Sequence, residues 1–400
     1  MLADIDQSKK GRHDHELIQT PFGDVLPCSL IYGANGSGKS TILRSMQLLK
    51  RMTISSYRFN DMSRWYHPHL LSEEGDPTKL EIHFLIDGIS YAYYVEYNGN
   101  EVIQEELYYT PKKRRAKIFT RQKMTVEIGS RFKKTEFANG LKELKQTRTC
   151  LSCIAHFSKG NEVIDRVYNW FRKDFVFIFA DSDPDFESST KNALYGNEKE
   201  IGTIIKALNE FDVPIKNIEI KKKDLALNPD QFPNFFTEDF RKELAANSEK
   251  YIDVIFHYDR FCVNLSNESN GIKKLFYLFG PLLEVLESGK TLVYDELETS
   301  LHESVFKKLI YVFQKYGAYN SSQLIFSTHD TGPLSFDLLR KDQIWFTELI
   351  KESRSTDLYS LLDIKDVRPS ENIQRGYIKG KYGAIPFLND SFLNELFKKK

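Results

Sequence analysis

The segment SLIYGANGSGKSTILRSM constrains this chain more than any other. It reads as a short apolar strand (Ser29 to Tyr32), then the loop Gly33-Ala34-Asn35-Gly36-Ser37-Gly38-Lys39-Ser40, then an amphipathic helix to about Lys50. In the spacing G-x-x-x-x-G-K-[ST], glycines let the backbone wrap closely round an anion with its N–H groups turned inward. The loop ends on a helix N-terminus, where unpaired N–H groups and the helix dipole favour negative charge. In such a loop Lys39 reaches the β- and γ-phosphates of a nucleotide, the Ser40 hydroxyl sits on Mg2+, and Thr41 adds a contact to the α-phosphate. A chance glycine-rich turn is the competing reading, and the flanking strand and helix count against it.

A phosphate loop needs a metal-holding carboxylate, and KTLVYDELETSLHESVF supplies one. Thr291 to Tyr294 is a continuous apolar run, as expected of a parallel strand buried on both faces, and it ends in Asp295-Glu296. Ligands of such sheets sit at the carboxyl ends of strands, so both carboxylates are expected beside the phosphate loop. Asp295 would hold Mg2+ directly or through water, and Glu296 would orient and deprotonate the attacking water. By itself a solvated acidic turn explains the pair equally well. The design recurs in SSQLIFSTHD, a strand Gln323 to Phe326 followed by Ser327-Thr328-His329-Asp330. A lone histidine is commonly a structural group, but beside the other two motifs His329 is favoured as a contact to a γ-phosphate. Between the two lies NESNGIKKLFYLFGPLLEVLESG, a loop and a long helix with an apolar face from Ile272 to Leu286. Its start, Ser269-Asn270-Gly271, is either an ordinary serine N-cap or an anion site for a γ-phosphate held by a second chain.

This order of motifs resembles the ABC ATPase superfamily: Walker A at Gly33–Ser40, signature at Glu268–Ile272, Walker B at Asp295-Glu296, D-loop at Glu298–His302 and switch histidine at His329. The G-x-N-G-x-G-K-S-T form and Leu301-His302 resemble its soluble RecF/SMC branch. ESNGIKKLFYLFGPLLEVL, LVYDELETSLH, QLIFSTHDTGPL, LRKDQIWF and NIQRGYIKGKYGAIPFL are similar to RloA-like and AbiL-like ATPases linked to restriction loci and abortive phage infection, and LNEFDVPIKNIEI resembles their lid region. The resemblance implies an α/β P-loop NTPase of ABC type: a mainly parallel sheet flanked by helices, an antiparallel β-subdomain and a helical lid. It implies ATP and Mg2+ as cofactors, hydrolysis by Glu296 with Lys39 and His329, and a homodimer that sandwiches ATP against Ser269 and Gly271 of the other chain. It also implies a separately encoded nuclease or toxin as partner in antiphage defence. The chain departs from the pattern at Ile272, where a polar residue is usual, and at Glu303, where proline is common. Relatives also begin with a strand and hairpin, whose end residues 1–18 resemble.

The remaining sequence sets bounds. With 400 residues, 41% hydrophobic, 28% charged and no net charge, the chain suits a soluble protein of two or three units. Such a balance argues against whole-surface nucleic-acid binding. Four cysteines make no disulfide framework, and the longest apolar run, Leu275 to Leu286, is well short of the roughly 20 residues that cross a bilayer. A cytoplasmic protein without membrane contact is therefore expected. Three regions are expected: 1–135 as the first part of the core with an antiparallel β-subdomain at about 78–131, 136–255 as a mostly helical insert, and 256–400 as the second part of the core. Asn98-Gly99 marks a hairpin. Lys112 to Lys134 is strongly basic, opposed only by Glu127, and is either a solvated face or a patch for nucleic acid or a partner. Cys150, Cys153 and His156 mimic a metal pattern but lack a fourth ligand, which favours buried thiols. Asp181, Asp183 and Asp185 suit a solvated turn better than a metal site. A RecF-like DNA-binding ATPase is the alternative function, and a transporter subunit or a self-contained nuclease fits less well.

Overall fold

The computed structural model describes Ala3 and residues 16–179, 183–224, 238 and 250–386. They fall into two compact units: unit 1 holds Met1–Phe177, Ser288–Leu297 and Lys307–Lys400, and unit 2 holds Ile178–Glu287 and Glu298–Phe306. In chain order the described strands are β1 (Cys28–Gly33), β2 (Thr78–Ile86), β3 (Ile89–Tyr97), β4 (Val102–Thr110), β5 (Ala116–Gln122), β6 (Thr125–Ile128), β7 (Phe175–Ile178), β8 (Asn217–Asp224), β9 (Lys250–His257), β10 (Cys262–Asn264), β11 (Thr291–Tyr294), β12 (Gln323–Ser327), β13 (Ile344–Leu349) and β14 (Thr356–Ser360).

The main sheet of unit 1 has the order β14-β13-β1-β12-β11-β7. β1 runs parallel to β12 and β13, β11 runs parallel to β12, and β14 closes the edge antiparallel to β13. Every residue of β1 is buried, which is why its sequence is a continuous apolar run and not an alternation. Gly38, in the left-handed region at φ 105°, starts the helix Lys39–Ser55. That helix outlasts the expected end at Lys50 because Met52 and Thr53 still face the core. Beyond β14, Tyr377 stacks on Phe346 at 5.5 Å and lies 5.8 Å from Tyr32, so the segment NIQRGYIKGKYGAI folds back onto β1 and β13.

Strands β2 to β6 form a second, antiparallel sheet in simple sequence order, where the β-subdomain is expected. Alternation decides its faces: Tyr91, Tyr93, Val95 and Tyr97 point inward and are buried, with the residues between them half-buried. The Asn98 side chain accepts from the N–H groups of Asn100 and Glu101, closing the β3–β4 turn. The basic run is not one face. Arg121 points inward, fully buried and 3.4 Å from Glu105, while Lys117 pairs with Glu127 at 2.8 Å and Lys123 with Glu101 at 3.1 Å. Lys112, Lys113, Arg114 and Arg115 remain exposed at the β4–β5 turn. Side chains of a strand alternate sides, so a linear charge count overstates any patch on it.

Residues 136–177, grouped with the insert in the sequence, cluster with unit 1. There Cys150 and Cys153 lie buried on the helix Cys150–Phe157, and His156 stacks on Tyr57 at 3.8 Å. Among the described residues no cluster of three or more His, Cys, Asp or Glu could hold a metal.

Unit 2 adds a small sheet to its helices. Besides the helices Asp183–Leu194 and Glu198–Glu210 it contains the antiparallel sheet β10-β9-β8. Lysines fill much of β8, NIEIKKKD, and hide its strand pattern. Asp181 and Ser182 lie outside the described residues, and the backbone is helical, not a turn, from Asp183 onward. The segment LNEFDVPIKNIEI, likened to a lid, ends in β8, while residues 225–249 lie outside the described residues apart from Glu238, as does most of residues 1–15. The signature helix, Asn270–Ser288, carries Pro281 internally. A proline cannot donate to the carbonyl four residues back, which belongs to Tyr277, and the Thr190 hydroxyl donates to that oxygen instead at 3.4 Å.

Candidate functional site

The strand order explains how motifs far apart in sequence meet. β12 lies between β1 and β11, with Ile31 beside Ser327 and Tyr294 beside Phe326. The phosphate loop, the segment after β12 and Asp295-Glu296 therefore leave one edge of the sheet as neighbours, spanning about 10 Å from β1 to β11.

The loop is held in shape by its own chain and by the sheet edge. Lys39 is buried, and its ammonium donates to the carbonyl oxygens of Gly33 at 2.8 Å and Ala34 at 3.2 Å. Ser37 N–H donates to the Ala34 carbonyl at 3.1 Å. Two threonines that the sequence does not single out brace the loop from outside. Thr347 on β13 shares a 2.7 Å hydrogen bond with the Ser37 hydroxyl and donates to the Tyr32 carbonyl at 3.1 Å, while the Thr356 hydroxyl on β14 donates to the Ser37 carbonyl at 2.9 Å. A Cβ at Gly33 would overlap Thr347 and one at Gly38 would overlap Thr356, so both glycines are dictated by the close approach of the sheet edge. Asn35 and Gly36 are exposed at the tip, and nothing would obstruct a Cβ at Gly36 within 4 Å. Ser40 is half-buried and Thr41 exposed on the first helical turn.

Across β12, Asp295 is buried while Glu296 is half-buried at φ 56°, a left-handed conformation uncommon outside glycine. One hydroxyl ties both down. Ser327 Oγ donates to Asp295 Oδ1 at 2.5 Å and accepts from the Glu296 N–H at 2.9 Å. No sequence pattern assigns Ser327 this task, because it follows from the pairing of β11 with β12. His329 is exposed two residues beyond Ser327, and the loop that carries it is anchored by the Tyr32 hydroxyl donating to the Asp330 carbonyl at 3.1 Å.

Ser269 and Gly271 belong to unit 2. Ser269 is exposed and caps the signature helix, its hydroxyl accepting from Ile272 N–H at 3.3 Å and its carbonyl from Lys273 N–H at 3.0 Å. A Cβ at Gly271 would come within 2.9 Å of the Ser300 carbonyl, so this glycine lets the helix start approach the D-loop of its own chain.

The residues at the strand ends suit a nucleotide with Mg2+. The buried Lys39 ammonium, oriented by two carbonyl oxygens of the loop, is the kind of donor that makes charge-assisted hydrogen bonds to a phosphate. A serine hydroxyl and one aspartate are the donors Mg2+ takes from proteins when phosphates and water fill the rest of its shell.

A family model described as "AAA domain, putative AbiEii toxin, Type IV TA system" matches residues 28–335. The chain belongs to that family. As a member of this AAA domain family it is a P-loop ATPase, and its mostly parallel sheet flanked by helices, with a separate antiparallel sheet, is the fold of the ABC type. Among solved structures it is similar to an Smc head bound to the C-winged helix domain of ScpA, at 13% identity over 84% of this chain and 91% of that one, TM-score 0.45. It is also similar to the SMC head domain from Thermotoga maritima (13% identity, 83% and 89% covered, TM-score 0.38) and to an Smc head from Pyrococcus furiosus bound to the C-terminal domain of ScpA (14%, 84% and 91%, 0.41). No curated protein matches this AAA domain. None of its described helices is long and apolar enough to cross a membrane.

Proposed function

We propose that this chain hydrolyses ATP in a dimer that acts as a switch, closing when two copies clamp ATP and reopening on hydrolysis. The observation that carries the reading is the Ser327 hydroxyl engaging Asp295 and Glu296 together, one strand away from the phosphate loop. In this assignment Gly33, Ala34, Asn35, Gly36, Ser37, Gly38, Lys39, Ser40 and Thr41 wrap the phosphates, Ser40 and Asp295 hold Mg2+, Glu296 activates water and His329 touches the γ-phosphate. Ser269 and Gly271 of a second copy complete each site, and the exposure of Ser269 supports their reaching it. The metal lowers the charge barrier to attack on the phosphate; the chain's own residues position that water and take its proton. The family description, a putative AbiEii toxin of a Type IV TA system, supports a role in antiphage defence alongside RloA-like and AbiL-like ATPases, acting with a separately encoded effector.

Glu296→Gln tests this reading. The variant is expected to lose turnover and accumulate an ATP- and Mg2+-dependent dimer in light scattering, and one that stays monomeric at saturating nucleotide sinks the clamp. A RecF-like DNA-binding ATPase is the second reading, favoured by the exposed cluster Lys112, Lys113, Arg114 and Arg115. Salt-sensitive duplex binding that vanishes when these four are neutralised would support it.

A further inference from the structure

The β8–β9–β10 sheet has two unlike faces. Inward, Ile218, Val254 and Phe256 are buried, and Phe256 meets Phe276 of the signature helix at 5.3 Å. On the other face the register sets Cys262 directly opposite His257, with Glu219 on the diagonal, since Asn217 pairs with His257 and Glu219 with Ile255. The three side chains form a chain of contacts. Cys262 Sγ lies 3.1 Å from His257 Nδ1, and His257 Nε2 lies 3.4 Å from Glu219 Oε2. That Nε2 is buried and makes no well-aligned hydrogen bond, so the carboxylate is its nearest counter-charge. Lys221, 2.8 Å from the other Glu219 oxygen, holds this carboxyl below its usual range, with His257 contributing less. An anion facing Nε2 favours the tautomer with its proton there, which leaves Nδ1 as a base toward the thiol. Cys262 is exposed, while Cys28, Cys150 and Cys153 are buried.

We propose that Cys262, His257 and Glu219 form a thiol-modification site that takes small-molecule disulfides, and that the adduct slows ATP turnover. In the exchange the Cys262 proton passes to His257 Nδ1 and Sγ forms a bond to one sulfur of the disulfide. The reagent's S–S bond breaks, and its second sulfur leaves with the electron pair as a thiolate. The effect on turnover follows from position. β10 leads through Leu265–Asn267 straight to Ser269, and the Tyr258 hydroxyl, from the turn between His257 and Cys262, donates to Glu268 at 2.7 Å. A bulky group on Cys262 strains this hairpin and the signature segment tied to it. This coupling rests on the assignment of Ser269 to the ATP site.

Dithionitrobenzoate on the native chain without nucleotide tests the thiol directly. One equivalent is expected to react, located by peptide mass on Cys262 and lost in Cys262→Ser. His257→Gln should react about tenfold more slowly, and Glu219→Gln should fall between the two. Label on another cysteine, or an unchanged rate in both His257→Gln and Glu219→Gln, overturns the site. Oxidised glutathione should then lower ATP turnover in the wild-type chain and leave Cys262→Ser unaffected, whereas full turnover by the adduct overturns the coupling. The labelling result is independent of the clamp: a monomeric Glu296→Gln variant would sink the clamp and leave the thiol site standing.

Discussion

Two of the places where unit 1 buries charge are built differently. At the end of the main sheet, Lys39 and Asp295 each expose 5% of their surface, with the ammonium on backbone carbonyls and the carboxylate on a serine hydroxyl. Inside the five-stranded sheet, Glu105 and Arg121 are sealed from solvent and close on one another. Glu105 accepts from Tyr93 at 2.9 Å and from the N–H groups of Cys150 and Leu151, while Arg121 donates to the carbonyls of Lys145, Gln146 and Arg148. The second set joins β4 and β5 to the start of the helix Cys150–Phe157 and has no opening for a ligand. On the proposed function, the contrast separates buried charge that holds a fold together from buried charge that a substrate recruits.

The sharpest way to break the comparison is to remove one partner of the sealed pair. Arg121→Ala should cost about 3–5 kcal/mol in urea unfolding, since it strands a carboxylate in the interior. A loss under 1 kcal/mol would show that the pair is not sealed. Burial already holds the Glu105 carboxyl above its usual range, outweighing the pull of Arg121 and of the donated N–H groups. Between the ordinary value and the raised one, the folded state thus keeps a proton that the unfolded chain gives up. The residue's contribution is greatest below the ordinary glutamate value of 4.5 and is lost as pH rises through the raised one. Without Arg121 that loss with rising pH should steepen.

At the strand-end site the expected penalties fall on turnover instead of stability. Ser327→Ala removes the hydroxyl shared by Asp295 and Glu296 and should lower kcat about 10- to 100-fold, with little change in unfolding midpoint. An equal fall in nucleotide affinity with kcat intact would place Ser327 outside the reacting end. The smallest effect is expected from Thr356→Val, which deletes the bond to the Ser37 carbonyl. It should cost about 1 kcal/mol, seen as a several-fold weaker nucleotide Kd with an unaltered kcat.

Much of the candidate site was legible because its motifs are written in short spacings. The loop Gly33–Ser40, the strand ending in Asp295 and the strand before His329 each announce themselves within about ten residues, and β11 matches its expected bounds, Thr291–Tyr294. Less local features were not. Lysines along β8 concealed a strand, and the run from Lys112 to Lys134 looked like a single basic face although Arg121 turns inward to Glu105.

By itself the sequence determined a phosphate loop between a buried strand and a helix, and the acidic and histidine-bearing strand ends that accompany it. Apolar runs and glycine spacings act over a few residues and need no partner to be read. Only the tertiary structure decided that Ser327 serves two carboxylate-bearing residues, that Thr347 and Thr356 brace the loop, and that Cys262 faces His257. Those relations depend on which strands pair and in what register, and register is set by the burial of whole sheets.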